Sequence, residues 1–366
     1  IFNTNNNGLI QINNDIFTEE EREYLRVNRF WVDDNEDEIA LLEREINHNI
    51  QKRQKELELT IALTNYCNFS CVYCYQNKNE KLMTTEVANM IIEKIDRILN
   101  DNIFEGINIH YFGGEPLLNI PVLVYLDENI KKITDKIGIV YKAFLTTNGS
   151  MLSKELLQKV KFSSIQLTFD GLEKTHDRLR VSDHFHFKEE IELIENIMNF
   201  SQAKVLLRTN ICKENKDEII ALHKYIFEKF GNERIEINPN RTIKYHQDDS
   251  FEMLSVQEYA EVAYQIKLLW SEQKGKFELP VPRSTPCKFP YGNAYAISPE
   301  GYCTFCSGSM DQEKKYFFDV DIENKKMFSV RKECKKCNIL PLCLGGCIIQ
   351  YNLRAGACTY EKYELK

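Results

Sequence analysis

Between residues 56 and 238 the chain alternates strand-like and helix-like segments in six successive units, and that rhythm restricts the fold more than any other feature. Leu57, Leu59, Ile61 and Leu63 alternate with Glu58, Thr60 and Ala62, the period-2 pattern of a strand. Further strands are predicted at 107–112, 139–145, 164–169, 204–210 and 234–238, separated by helices at 84–100, 119–133, 153–160, 188–200 and 214–230. Thr84 or Thr85 is placed to cap the first of these helices, and Asn238-Pro239 to stop the series. Short connections between alternating elements argue for parallel strands, hence an α/β protein with a barrel-like sheet. Six units rather than eight predict an open, partial (β/α)6 barrel, with chemistry at the C-terminal ends of its strands.

The polar and glycine-rich motifs fall at those ends. The first strand runs into a loop carrying Cys67, Cys71 and Cys74 at a C-x3-C-x2-C spacing. Structural zinc wants four ligands and a cubane iron–sulfur cluster has four irons to hold, so three thiolates leave one position open to a small molecule. The second strand ends in Gly113-Gly114-Glu115-Pro116, where paired glycines let the backbone approach a ligand and Glu115 would balance a cation. Thr146, Asn148, Arg208 and Asn210 also sit at strand ends and read either as site lining or as satisfied turns and caps.

Cysteine usage separates a second region. Of the 12 cysteines, three lie in 67–74, Cys212 stands alone, and the rest fall between 287 and 358. C-x2-C and C-x3-C clusters in a chain of 366 residues point to metal in a reducing compartment rather than to a disulfide framework. Three, eight and one suggest a three-thiolate site, two four-thiolate sites and a spare, with Cys212 a small buried apolar residue. The formal charge of −8 argues against a nucleic-acid surface, and no apolar run approaches the length of a membrane span. With no secretory signal visible, a cytoplasmic location is expected, and a first residue of Ile1 suggests a trimmed N-terminus. His110, His184, His186 and His223 show no ligand spacing. No phosphate loop, nucleophile elbow or zinc-protease motif occurs.

Taken together, the cysteine loop, with aromatic Tyr73 before its last cysteine, and the Gly-Gly-Glu-Pro strand end resemble the radical S-adenosylmethionine (SAM) enzymes. The resemblance implies a 4Fe–4S cluster on Cys67, Cys71 and Cys74, whose fourth iron is chelated by SAM. It implies SAM contacts from Tyr73, Tyr75, Gly113, Gly114, Glu115, Thr146, Asn148, Thr168, Asp170, Arg180 and Arg208. Glu115 would meet the SAM ammonium, Thr168 the ribose, and Arg180 of His176-Asp177-x2-Arg180 the carboxylate, with Arg178 as the competing choice. A zinc site is the alternative occupant of the loop.

The C-terminal cysteines resemble the SPASM extension of radical SAM enzymes that modify peptides, which carries two auxiliary 4Fe–4S clusters. By that resemblance Cys334, Cys337, Cys343 and Cys358 hold the outer cluster. Cys287, Cys306 and Cys347 hold the inner one, with Cys303 either the fourth ligand, the favoured reading, or turned away to leave an iron open. Zinc again competes, since C-x2-C pairs also build zinc ribbons. Ala294–Ile297 and Tyr302–Phe305 flank Ser298-Pro299-Glu300-Gly301 as a hairpin.

The expected units are a small N-terminal α+β unit (1–55), the partial barrel (56–245), a linking helix and connection (246–285, helical over 251–270) and the cluster domain (286–366). The N-terminal unit is predicted to hold a hairpin pairing Ile1–Asn3 with Gly8–Ile12, a helix at 18–25 opened by Asp15 or Thr18, a strand at 29–32 and a helix near 35–52. It reads as a packing cap or, by resemblance, as a short leader-peptide recognition element. The implied function is maturation of a ribosomally made precursor peptide by hydrogen abstraction and closure of a thioether or carbon–carbon crosslink. The implied partners are that peptide with its leader and a reductant such as flavodoxin or ferredoxin. An anaerobic sulfatase-maturing enzyme and a multi-cluster electron-transfer protein are the alternatives. No general base is assigned; Asp311 has only its position to recommend it.

Overall fold

The computed structural model describes residues 2–3, 8–9, 17–28, 30, 35–101, 103–231, 234–244, 251–275, 283–304, 306–309, 315–320, 327–337 and 339–347. The chain opens with β1 (Phe2–Asn3) and β2 (Gly8–Leu9), antiparallel as expected, followed by α1 (Glu19–Val27) and α2 (Glu38–Arg53). Thr18 is the cap of α1, closing a reciprocal box with Glu21. The strand expected at 29–32 falls, apart from Phe30, outside the described residues.

The alternating region then runs β3 (Glu56–Ala62), α3 (Thr85–Asp101), β4 (Gly106–Phe112), α4 (Ile120–Ile137), β5 (Val140–Thr146) and α5 (Lys154–Lys159). It continues with β6 (Phe162–Thr168), α6 (Glu173–Leu179), α7 (Phe187–Phe200), β7 (Lys204–Ile211), α8 (Ile219–Phe230) and β8 (Ile235–Arg241). Strands β3 to β8 pair in sequence order, all parallel, as the alternation demands. One face of each strand meets the helices. Leu57, Leu59 and Ile61 are at most 1% exposed, against Ala88, Ile91, Ile95 and Ile98 at helical spacing on α3. Each such side chain contributes about 2 kcal/mol relative to an exposed position. The other face, with His110, Thr146, Gln166, Thr168, Arg208 and Asn238, lines the hollow of the unclosed barrel.

Two of the predicted boundaries move for reasons the structure shows. Pro239 does not stop the series, because β8 is an edge strand that runs on to Arg241. Proline is tolerated where its missing N–H faces away from the ladder, and Tyr259 Oη donates to the Pro239 carbonyl at 2.7 Å. Helix α8 starts at Ile219 rather than 214, because the fully buried Asn215 organises the preceding turn. Its amide donates to the Asp170 and Asn210 carbonyls, both at 2.8 Å, while its Oδ1 accepts from Cys212 N.

Beyond β8 come α9 (Val256–Gln273), the short α10 (Lys288–Tyr291), β9 (Asn293–Ile297), β10 (Tyr302–Thr304), β11 (Lys315–Tyr316) and the single turn α11 (Leu340–Cys343). The predicted hairpin is β9–β10, and β9 also pairs in parallel with β3, Leu57 opposite Asn293 through Ile61 opposite Ile297. Barrel and extension therefore share one nine-stranded sheet, in the order β11-β10-β9-β3-β4-β5-β6-β7-β8. A second core joins α2 to the C-terminal region, Ile46 and Ile50 meeting Phe328, Val330, Leu340 and Leu344.

Helix α9 closes over α8 through a buried polar contact. Trp270 Nε1 donates to His223 Nδ1 at 3.1 Å, and His223 Nε2 lies 3.1 Å from Thr209 Oγ1. Burial lowers the His223 pKa to about 3, so the folded protein holds it neutral. An unfolded imidazole titrates near 6.5, so this stabilisation is complete above about pH 6.5 and is lost as pH falls toward the folded value. Denaturant titrations of the apoprotein are expected to lose on the order of 3 kcal/mol from this group between pH 7 and 4. His223→Gln should flatten the acid limb over that window even if it lowers the plateau.

Candidate functional site

The cysteine loop is held by its backbone on both sides. On the incoming limb Leu63 N donates to Phe112 O (2.9 Å), Gly114 N to Thr64 O (2.8 Å) and Glu115 N to Tyr66 O (2.9 Å). On the outgoing limb Ser70 N donates to Val181 O (2.8 Å) and Val72 N to Leu179 O (3.0 Å). Side chains add pins. Asn119 Nδ2 donates to Leu63 O and Met83 O, Lys78 Nζ to Phe69 O, and Tyr73 Oη to Asp170 Oδ2.

This geometry changes the reading of the glycines. A Cβ on Gly113, whose φ is +137°, would lie 2.3 Å from Thr64 O, and one on Gly114 would lie 2.2 Å from Tyr66 O. The close approach the pair permits is to the cysteine loop itself. Glu115 follows and is fully buried. Its Oε1 accepts from Leu117 N (2.9 Å) and Thr147 Oγ1 (2.7 Å), and its Oε2 from Asn148 N (2.6 Å). Burial raises its pKa, and these three donors and Arg180 oppose the rise. A carboxylate has about four acceptor positions, so one on Oε2 stays open to a cation.

Several predicted residues bind the protein. Asn148 spans from Glu115 to the loop, its Nδ2 donating to Asn68 Oδ1 at 2.8 Å and lying 3.9 Å from Cys67 Sγ. Asp170 is fully buried, taking Tyr73 Oη on one oxygen and Asn210 N (2.7 Å) on the other, so its carboxylate joins the loop to the end of β7. Thr146 Oγ1 lies 2.8 Å from His110 Nε2 inside the barrel, where burial lowers the His110 pKa to about 4. Thr168 ends β6 directly opposite Arg208, and Arg208 Nε donates to Asn210 Oδ1 at 2.8 Å. Burial pushes the Arg208 pKa down against the pull of Asp170 and Tyr259. Arg180 is 6% exposed, its guanidinium 5.4 Å from the Phe69 ring centroid. Burial disfavours its charge, but Glu190, Cys71, Tyr73 and Asp170 outweigh that and keep it protonated. Arg178, the competing choice, is exposed and pairs with Glu214. Thr147 and Asn215 were missed. Thr147 shares a tetrapeptide with Thr146 and Asn148, and the strand alternation that breaks after Thr146 left its direction open.

The thiols fit a cluster. Burial raises the Cys71 pKa to about 11, Arg180 eases it, and Cys74, Asp170 and Cys67 push it further up. Cys67 is raised likewise by burial, with Glu115 and Cys74 adding to the effect. Cys67 and Cys71 therefore resist becoming free thiolates, and bound iron would offset that cost. Among the described residues no three such groups close around a single ion. Phe69 N donates to Cys67 Sγ at 3.4 Å, the kind of contact that tunes a cluster.

Among the described C-terminal thiols, Cys287 interacts with Cys347, and Cys334 with Cys343 and Cys337. Burial raises the Cys287 pKa, the Phe289 N–H opposes, and Cys347 raises it again, so these two sulfurs are neighbours. Cys334 is raised by burial and then by Cys343, with Cys337 adding to it. Cys306 Sγ accepts from Gly308 N at 3.3 Å. Cys303 is 3% exposed and belongs to the main hydrophobic core, because the alternation of β10 turns it from the face of Tyr302 toward Phe317 and Tyr295. Cys358 and Asp311 lie outside the described residues.

A cavity of about 380 Å³ runs from the loop's outgoing flank (Tyr75, Gln76) past Gly113 to the hairpin (Ser298, Glu300, Tyr302) and the turn after Cys306 (Ser307, Gly308). Lys81 and Glu300, its charged lining residues, pair with each other.

Residues 61–226 match the Radical SAM superfamily, a family that implies a 4Fe–4S cluster and SAM. It is 24% identical over 354 residues to the radical SAM cyclopropyl synthase TigE of Paramaledivibacter caminithermalis, covering 87% of this chain and 73% of that one. It is 34% identical over 119 residues to an uncharacterized protein of Methanocaldococcus jannaschii, of whose length it spans 39%. Its fold is that of anSMEcpe with bound AdoMet and Cp18Cys peptide, with a TM-score of 0.65, 19% identity, and 84% of this chain and 93% of that chain covered. It is also that of Streptococcus suis SuiB bound to precursor peptide SuiA, with a TM-score of 0.60, 16% identity, and 94% and 86% covered. Among the described residues no helix is long and apolar enough to cross a membrane.

Gly114→Ala drives a methyl group into the Tyr66 carbonyl and is expected to yield protein that keeps its helical circular dichroism but does not retain the loop's iron. Anaerobic reconstitution followed by iron assay checks this, and full iron retention would show that the loop tolerates displacement.

Proposed function

We propose that the protein abstracts a hydrogen atom from a ribosomally made precursor peptide and closes a thioether or carbon–carbon crosslink in it. The observation that carries this reading is the cavity, which touches both the flank of the cysteine loop and the turn after Cys306. Cys67, Cys71 and Cys74 would hold a 4Fe–4S cluster able to supply the electron for reductive SAM cleavage, and clusters held by the C-terminal thiols would offer an acceptor for the electron released on crosslinking. The inner thiols are Cys287, Cys306 and Cys347; the outer are Cys334, Cys337, Cys343 and Cys358.

The chain's own residues bind and orient. The open position on Glu115 Oε2 receives the SAM ammonium, Arg180 faces the carboxylate, and Thr168 and Arg208 line the hollow beside the ribose. The cavity favours a peptide over a phosphorylated substrate. Lys81 is neutralised by Glu300, while the carboxamides of Asn65, Gln76 and Asn79 match the alternating donors and acceptors of a peptide backbone. Forming a thioether moves one hydrogen atom to the radical, one proton off the thiol and one electron to the acceptor, so the product is lighter by two hydrogens.

Reconstituted protein with SAM and a strong reductant is expected to release 5′-deoxyadenosine. Glu115→Gln, which loses the charge and turns one acceptor oxygen into a donor facing a protein donor, should weaken SAM binding by at least about 10- to 100-fold, measured on protein whose loop-cluster spectrum shows the loop retained. Incubation with a short peptide encoded beside the gene should give a product lighter by two hydrogens with its sulfur kept. Loss of sulfur would indicate formylglycine formation instead, and absence of 5′-deoxyadenosine would end the radical reading.

A further inference from the structure

Helix α2 shares a core with Cys334 and Cys337 and its C-terminal end bonds residues beside Cys287. On its flank Asn47 treats Phe328 as a strand partner would, with Nδ2 donating to Phe328 O (3.0 Å) and Oδ1 accepting from Phe328 N (2.7 Å). One turn earlier Glu43 Oε1 accepts from Val330 N (2.7 Å) and Ser329 Oγ (3.2 Å). These bonds hold three consecutive residues just before the turn Lys332–Cys334. Ile46 and Ile50 on the adjoining face bury Phe328, Val330, Leu340 and Leu344, and Cys334 and Cys337 are packed against the same cluster.

At its C-terminal end the same helix holds the residues around Cys287. Arg53 NH1 donates to Thr285 Oγ1 (2.9 Å), Gln54 Nε2 donates to Tyr291 O (3.1 Å), and Asn293 Nδ2 donates to Gln54 O (2.7 Å). Arg53 and Lys288 both bond Glu58 at the start of β3, each at 2.9 Å. Glu43 and Arg53 stand ten residues apart, about 15 Å along a helix axis.

Between the two groups the chain makes a strained crossing. Leu344, Gly345 and Gly346, which separate Cys343 from Cys347, have φ of +47°, +83° and +68°. Leu344 is the one non-glycine with positive φ among the described residues. Such a conformation persists only where its surroundings over-determine it. Here the Leu344 side chain is 5% exposed in the core that Ile46 and Ile50 build.

We propose that α2 is a strut that sets the outer and inner cysteine groups at a fixed separation, with Glu43 and Asn47 the positioning residues of the outer group. The 38–53 segment is then part of the cluster region and not of a detachable N-terminal unit. This rests on reading the C-terminal thiols as cluster ligands.

The test uses the full chain reconstituted anaerobically, comparing wild type with Asn47→Ala, the Glu43→Ala/Asn47→Ala double variant, and Glu43→Gln and Asn47→Asp, which each keep an acceptor. Iron and sulfide per chain, the electron paramagnetic resonance of the reduced protein, and peptide-independent 5′-deoxyadenosine release are measured together. The double variant is expected to lose about one cluster's iron, roughly a third of the total, and to alter the C-terminal cluster signals. It should release 5′-deoxyadenosine within about twofold of wild type, because the loop is held by other bonds. The acceptor-keeping variants should fall between, and they carry the test if the double variant does not fold. Unchanged iron and spectra across the series, or equal loss from the loop cluster, would overturn the strut. Wild type binding only about four irons would instead overturn the auxiliary-cluster reading beneath it.

Discussion

A carboxylate with no exposed surface is sustained only by the donors around it, and the mouth of this barrel is assembled from the donors Glu115 collects. They come from its own turn (Leu117 N) and from the end of the neighbouring strand (Thr147 Oγ1, Asn148 N), while Glu115 N donates back to the cysteine loop at Tyr66. One side chain thereby ties the ends of β4 and β5 to the segment that bears the cysteines. Removing its charge disturbs ligand binding, whereas removing its oxygens would leave buried N–H groups unpaired and undo the mouth itself.

Asp170 repeats the arrangement on the far side. Its carboxylate takes Tyr73 from the loop and Asn210 N from β7, and its carbonyl takes Asn215. The two buried acids hold the loop from opposite walls, with the Arg180 guanidinium moderating the charge of both. That arrangement leaves a cationic group and a part-satisfied carboxylate beside thiols that favour bound iron, which suits a zwitterionic ligand such as SAM.

Much of this was legible in the sequence. The period-2 and helical patterns placed all six parallel strands and five of the helices between them, α6 being the exception, with ends displaced by a few residues, because apolar side chains must face a core whatever their partners are. The cysteine spacings separated the SAM loop from the C-terminal groups. What the sequence left open or displaced has tertiary reasons. Pro239 stopped the strand on paper, but β8 is an edge whose outer side needs no N–H. Gly113 and Gly114 were assigned to a ligand because their nearest neighbour, the carbonyls of Thr64 and Tyr66, is some fifty residues away in the chain. Spacing left Cys303 with two readings, as a fourth ligand or turned away, and only strand alternation shows that it lies in the core.

The sequence by itself determined the class of fold and the chemistry the loop supports, because both follow from local periodicity and from thiols close in the chain. Only the tertiary structure decided that β9 joins β3, so that barrel and extension form one sheet, and that α2 belongs with the C-terminal cysteines. Those contacts join segments more than two hundred residues apart through backbone hydrogen bonds and single carboxamides such as Asn47. Neither leaves a periodic signature, since a backbone N–H is the same at every residue and an isolated Asn reads as a turn or a cap wherever it stands.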